Sequence, residues 1–299
     1  MRIAITGASG LIGKALVSHL RSGGHEVVRL VRRPPAGADE RSWDPARGVE
    51  PGALDGVDAV VNLSGANLAE GRWTARRKAE LRDSRLIPTR VLAEALAGRP
   101  SPPKVLVSSS AIGYYGDRGD ELLTERSPAG EGFLPRLCAG WEQAAAPAAA
   151  AGIRVVWTRS GIVLSREGGA LAKMLTPFRV GVGGVLGQGT QYMSWIAMDD
   201  LLGAIDHVLV DDAVSGPVNT VVPTPVTNRE FTKTLARVLR RPAVAPVPAL
   251  ALRLLYGEMA DAALLASTRV VPDRLRAAGF RFRFPELEPA LRHTLERRA

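Results

Sequence analysis

Residues whose types and spacing could do chemistry begin with Thr6–Gly13, TGASGLIG, which sets glycines at Gly7, Gly10 and Gly13. The stretch lies between the β-branched run RIAIT and the helical pattern Leu11–Ser22. In a dinucleotide fold the first glycine of such a triplet makes the sharp turn, and the second lets backbone amides approach a pyrophosphate. The third lets the helix pack closely on the sheet. The helix N-terminus adds free N–H groups and a positive dipole end. A purely structural turn is the alternative, but the position and flanks favour a bound dinucleotide. The second element, Glu26–Val31, ends at Arg32 and Arg33, where an NAD site would place an acidic residue to accept from the ribose 2′-hydroxyl. A guanidinium cannot accept, yet it pairs well with a phosphate, so the expected cofactor is NADP(H) unless the two arginines are merely surface charges.

Other reactive side chains carry less. Cys138 is the single cysteine, and the four histidines, His19, His25, His207 and His293, are dispersed, so a Cys-His nucleophile and a cysteine metal cluster are both disfavoured. Asp199 and Asp200 precede a helical stretch and read as first-turn residues that complement the helix dipole, so no metal is expected. Trp73, Trp141 and Trp195 read as core or cleft-wall residues. The net charge of +9 is nearly all arginine, in short clusters including Arg32-Arg33, Arg76-Arg77-Lys78, Arg237–Arg241 and Arg297-Arg298. No basic tail exists and aromatics are only 5%, which speaks against specific nucleic-acid binding and for a solvated surface.

The elements that must position these residues alternate. Strands are expected at Arg2–Thr6, Glu26–Val31, Ala59–Leu63, Val105–Ser108 and Arg154–Thr158. Helices are expected at Leu11–Ser22, over Ala75–Ala97 with a break near Pro88, and around Trp141–Ala151. Strands that alternate with helices and are apolar almost throughout imply an α/β fold with a parallel sheet covered on both faces. Beyond about residue 165 the texture loosens, with Gly168-Gly169 and Gly181–Gly189 as loops and Pro242–Pro248 extended. Helical runs follow at Ala249–Leu265 and Glu286–Arg298. The expected division is 1–165 for the cofactor domain and 166–299 for a smaller lobe, with parts of 190–225 returning to the first. Hydrophobic residues at 46% and charged residues at 23% suit a globular chain with a sizeable core. No signal-peptide pattern and no apolar run of about 18–20 residues is seen, so a cytoplasmic, membrane-free protein is expected.

The glycine loop, NLSGA (Asn62–Ala66), SSSAIGYYG (Ser108–Gly116) and YMSWIAMDDL (Tyr192–Leu201) together resemble the extended short-chain dehydrogenase/reductases of the NAD(P)-dependent epimerase/dehydratase superfamily. GRWTARRKAELRDSR, LCAGWE and the C-terminal RVVPDRLRAAGFRFRFPEL narrow the resemblance to its "epimerase family protein" branch, sometimes labelled cell-division-inhibitor-like. The resemblance implies a Rossmann-like doubly wound parallel sheet with a small C-terminal α/β substrate lobe and a bound nicotinamide cofactor. It places Gly7, Gly10, Leu11 and Ile12 at the pyrophosphate, with Ser9 in the same loop, and Arg32 and Arg33 at the 2′-phosphate. Leu63, Ser64 and Gly65 pass the adenosine side, and Ser160-Gly161 sit near the nicotinamide.

One departure bears on activity. The wider family carries a Tyr-x-x-x-Lys pair, in which the tyrosine moves the proton that accompanies hydride transfer and the lysine lowers its pKa and holds the ribose. Registering LCAGWE by its glutamate puts Leu134 in the tyrosine's place and Cys138 in the lysine's, and neither can do that work. Ser110 matches the family's assisting serine, and Tyr114 or Tyr115 could supply the missing acid, or both could simply pack beneath the loop. The leading expectation is an NADP(H)-binding, epimerase-like oxidoreductase with an unidentified small-molecule substrate, which could form a homodimer. The alternative is a catalytically weak or inactive NADPH-binding regulatory protein that acts through a protein partner.

Overall fold

The computed structural model describes residues 1–243 and 246–296. Alternation along β1 (Arg2–Thr6) sends Ile3 and Ile5 to one face of a sheet and Ala4 to the other, and all three are fully buried. In chain order the first half continues with α1 (Leu11–Ser22), β2 (Glu26–Val31), β3 (Glu40–Asp44), β4 (Gly48–Val49), β5 (Ala59–Asn62), α2 (Ala75–Ala97), β6 (Val105–Ala111) and β7 (Leu122–Leu123). Then come α3 (Phe133–Gln143), α4 (Ala146–Ala150), β8 (Arg154–Ser160), β9 (Ile162–Leu164), α5 (Gly169–Arg179), β10 (Tyr192–Met193), β11 (Trp195–Ala197) and α6 (Met198–Val210). The chain ends with β12 (Gly216–Thr220), β13 (Val226–Thr227), α7 (Asn228–Leu239), α8 (Ala249–Tyr256), β14 (Arg269–Val270), α9 (Asp273–Ala277) and α10 (Leu287–Glu296).

The main sheet has the order β12-β8-β6-β5-β1-β2-β3-β4, and every pairing is parallel except β3 with β4. From β1 the chain first winds outward through β2 and then, from β5, winds the other way, so the order reverses between β1 and β5. One face packs against α1 and α6 through Leu16, Leu20, Leu201 and Ile205. The other packs against α2 and α4 through Leu92, Leu96 and Ala148, with Ala145 just before α4. Two covered faces make the doubly wound, Rossmann-like α/β sheet expected from the near-continuous apolar strands. A separate core joins Leu171, Phe178, Trp195, Phe231, Leu235 and Leu291 from α5, β11, α7 and α10. Trp73 and Trp141 are buried, as Trp195 is.

Several local expectations need correction. α2 runs without a break through Pro88, which is buried; tertiary packing of the helix against α3 and α4 outweighs one missing backbone bond. The helix expected around Trp141–Ala151 is two helices, the second starting at Ala146 with Pro147 in its first turn. The run Ala249–Leu265 divides at Gly257 (φ +60°), after which Ala260–Leu264 forms a π-helical turn. β6 and β8 extend to Ala111 and Ser160, and β3 and β12 were not foreseen. Val244 and Ala245 of the proline-rich stretch, and Arg297 and Arg298 of the expected Glu286–Arg298 run, lie outside the described residues.

Candidate functional site

Gly7 follows β1 with φ +68°, a left-handed conformation that favours glycine, and a Cβ there would stand 2.7 Å from the carbonyl oxygen of Leu63, just past the neighbouring β5. A Cβ on Gly13 would stand 2.2 Å from the Gly7 carbonyl, so the helix can lie this close to the turn only without a side chain. Gly10 caps α1 with φ −73°, so its role is space rather than backbone freedom. No side chain caps α1 and no acid occupies its first turn, which leaves the leading amides and the positive dipole end for an anion. Leu11 packs beside Gly168, and Ser9 is exposed at the lip of the loop.

The two arginines after β2 have different positions. Arg33 forks onto Glu40 at 2.8 and 2.6 Å, and Arg29 reaches the same carboxylate at 3.1 Å. The Arg33 hydrogen bond, reinforced by the Ala36 amide, holds the Glu40 carboxyl below the usual carboxylate range. Arg32 is exposed and makes no side-chain hydrogen bond or ion pair among the described residues. Of the two arginines expected at a 2′-phosphate, Arg33 is thus engaged by Glu40, and Arg32 has no side-chain partner among the described residues.

At the ends of β5 and β6 a buried polar net ties the strands together. The Thr6 hydroxyl donates to Asn62 Oδ1 at 2.7 Å, and Asn62 Nδ2 donates to Thr89 at 2.8 Å and Ser108 at 3.3 Å. Ser64 donates its hydroxyl to Thr6 at 2.9 Å, which fixes the Leu63–Gly65 turn beside the glycine loop. On the far side, the Ser160 and Thr220 hydroxyls are 2.8 Å apart, and a Cβ on Gly161 would meet the Ser194 carbonyl at 2.6 Å. These contacts hold the strand ends on which a ligand would rest.

Ser110 is nearly buried at the end of β6 and donates to Glu142 Oε1 at 2.7 Å. Arg159, one residue before Ser160, grips the same carboxylate through Nε and Nη2, both at 2.8 Å. Its Nη1 donates to the Tyr115 hydroxyl at 3.0 Å, and that hydroxyl donates to Asn219 Oδ1 at 2.7 Å. The guanidinium also lies 3.5 Å from the centroid of the Tyr114 ring. Burial opposes a charge on Arg159, but Glu142 and the phenol outweigh it and hold the guanidinium above its ordinary pKa. Tyr115 has no exposed surface, and burial pushes its phenol up to about 12. It is a buried strut between β8 and β12, which corrects the expectation that it could act as the acid. Tyr114 keeps partial exposure.

Leu134, Cys138 and Glu142 follow one another at four-residue spacing on α3. Leu134 and Cys138 face Gly113, where an added Cβ would lie 3.5 and 3.7 Å from them. Both are buried, and burial, reinforced by Glu142, pushes the Cys138 thiol up to about 12. The place of the family's proton-transfer pair is therefore apolar. Sequence reasoning used Glu142 only to set the register and missed Arg159; a charged residue inside the otherwise apolar strand RVVWTRS was the available signal. Asp200 accepts backbone bonds from Arg283 and Phe284 at 2.7 and 2.9 Å, so it ties down the C-terminal segment. Among the described residues no cluster of three or more His, Cys, Asp or Glu could hold a metal, and no helix is long and apolar enough to cross a membrane.

A doubly wound sheet with a glycine cradle at its reversal point defines a Rossmann-type dinucleotide-binding protein. The chain belongs to the NAD dependent epimerase/dehydratase family, which matches residues 3–221, and a domain of unknown function (DUF1731) matches residues 247–294. An epimerase family protein of Mycobacterium tuberculosis is 46% identical over 296 residues, covering 99% of this chain and 98% of the relative. The crystal structure of human epimerase family protein SDR39U1 with NADPH is 37% identical, with a TM-score of 0.90 and 99% of each chain covered. A nucleoside-diphosphate sugar epimerase structure from Corynebacterium glutamicum is 39% identical with a TM-score of 0.83, covering 99% of this chain and 58% of that one.

Proposed function

We propose that the chain binds NADP(H) across the glycine cradle and acts as an epimerase-like oxidoreductase on a small molecule held above the C-terminal ends of the parallel strands. The observation that carries the cofactor assignment is the Arg32 guanidinium, unpaired among the described residues, beside a cradle that tolerates no Cβ at Gly7 or Gly13. The similar human protein crystallised with NADPH supports it. The amides of Leu11 and Ile12 would hold the pyrophosphate, with Gly10, whose own amide donates to the Gly7 carbonyl at 2.9 Å, giving it room; Ser9 and Arg32 would hold the adenosine end with its 2′-phosphate, and Leu63–Gly65 and Ser160-Gly161 the rest of the molecule. When bound, the cofactor supplies a hydride donor or acceptor.

Proton handling then falls to this chain's own strand-end groups. Ser110 donates its hydroxyl to Glu142, and Tyr114 is the one phenol here with exposed surface. A positioned acid or base contributes typically 10²–10⁴-fold to rate, so replacing the Tyr-x-x-x-Lys pair by leucine and cysteine predicts slow turnover of generic carbonyl compounds. That same apolar substitution favours the second reading, a regulatory protein with bound NADPH and little chemistry.

Calorimetry with NADPH and NADH tests the cofactor assignment. The expected result is at least tenfold tighter binding of NADPH, about 1.4 kcal/mol, lost in Arg32→Ala. Equal affinities in the unaltered protein would overturn it. For the chemistry, Ser110→Ala or Tyr114→Phe should lower kcat more than tenfold; unchanged kcat in both would remove these residues from the mechanism.

A further inference from the structure

Arg85 on α2 is a buried cation with no use in the site as described so far. It is 6% exposed and makes no hydrogen bond or ion pair with any carboxylate among the described residues. Its Nη1 donates to the Leu81 carbonyl at 3.0 Å and to Ser84 Oγ at 3.5 Å, and Nη2 donates to the Ala66 carbonyl at 2.8 Å. Of the five N–H donors of a guanidinium, Nε–H and one Nη2–H have no acceptor among the described residues, and both nitrogens are bonded to Cζ. The indole of Trp141 lies 5.1 Å away. A Cβ on Gly65 would stand 3.3 Å from Cζ and 3.5 Å from Nε, so the unused donors lie beside the turn that follows β5. Leu81, one helical turn away, packs with Leu134, the residue in the place of the family's tyrosine. A buried positive charge without a counter-ion is unfavourable unless an anion completes it.

We propose that Arg85 receives a carboxylate of the substrate, so that the site takes small anionic carbonyl compounds. Two adjacent N–H donors match a planar carboxylate in a bidentate fork. The proposal rests on the reading of this site as an oxidoreductase site and names the substrate class for it.

The test titrates NADPH-loaded protein with pyruvate and oxalate against their neutral counterparts, methyl pyruvate and oxamide, by calorimetry. At least one carboxylate should bind tenfold or more tightly than its neutral counterpart. Arg85→Met should reduce that preference below twofold, and Arg85→Lys should retain part of it. No preference in the unaltered protein, or the same preference in Arg85→Met, would overturn the proposal and leave Arg85 as a tether for the Ala66 and Leu81 carbonyls. If Arg85→Met does not fold, Gly65→Ala presses on the guanidinium without backbone strain; it should weaken carboxylate binding, and unchanged binding overturns the proposal. Protein that binds no NADPH fails the preceding reading instead, while the carboxylate preference is still measured on the same protein without cofactor.

Discussion

Replacing Arg159 by methionine keeps an unbranched stem and removes the guanidinium donors, leaving the Glu142 carboxylate only the Ser110 hydroxyl. Its side chain is 4% exposed and that of Glu142 is 12% exposed, so the carboxylate left behind cannot be rehydrated without opening the fold. Two charge-assisted bonds of 2.8 Å vanish, along with the one to the Tyr115 hydroxyl. Removing one partner of a buried pair costs about 3–5 kcal/mol, chiefly because the survivor is stranded. Against a total stability of about 5–15 kcal/mol the variant should still fold at 25 °C but with little margin. At about 2–4 °C per kcal/mol for chains approaching this size, Tm should fall by roughly 6–20 °C. Adding Glu142→Leu removes the stranded charge, so the double variant should be more stable than Arg159→Met alone, with a coupling of at least about 1 kcal/mol. Urea unfolding at pH 7 with all four proteins measures this. A loss below about 1 kcal/mol for Arg159→Met, or strict additivity in the double variant, would refute the account of Glu142 as an anion held by Arg159.

Gly13→Ala drives a methyl group into the Gly7 carbonyl at 2.2 Å; it should cost about 1–3 kcal/mol of stability and more than tenfold in NADPH affinity, and unaltered binding would show the loop to be no cofactor cradle. Cys138, with its thiol pushed up to about 12, should resist iodoacetamide at pH 8 in the native protein and react once unfolded. A well-folded Cys138→Ala variant without activity would make that thiol catalytic. Tyr115 ionises near 10 in the unfolded chain but only at about 12 in the fold, so the unfolded state gains stability first as pH rises from 10 to 12. Thermal melts across that window should show the fold weakening, and Tyr115→Phe should lessen the slope; identical slopes would dissociate Tyr115 from the effect.

The segment from Arg2 to Val31 was legible residue by residue, because everything it needs is local. A β-branched run marked β1, helical periodicity and Gly23 marked α1, and glycine spacing marked the phosphate turn between them. The family motifs likewise pointed to the parallel sheet and to an apolar substitution on α3. The network around Arg159 was decided only in three dimensions. Glu142 is 17 residues from Arg159, and Asn219 is 104 from Tyr115; nothing in local pattern states that the strand order brings them together. The same holds for Arg33, whose nearby partner Glu40 lies in a strand too charged to be read as one, and for Pro88, where packing overrode an intrinsic helix breaker. Local chemistry wrote the elements and the cradle. Which polar groups are buried, paired or left free was settled by the folding of distant strands into one sheet, since burial and partnership are properties of the packed chain.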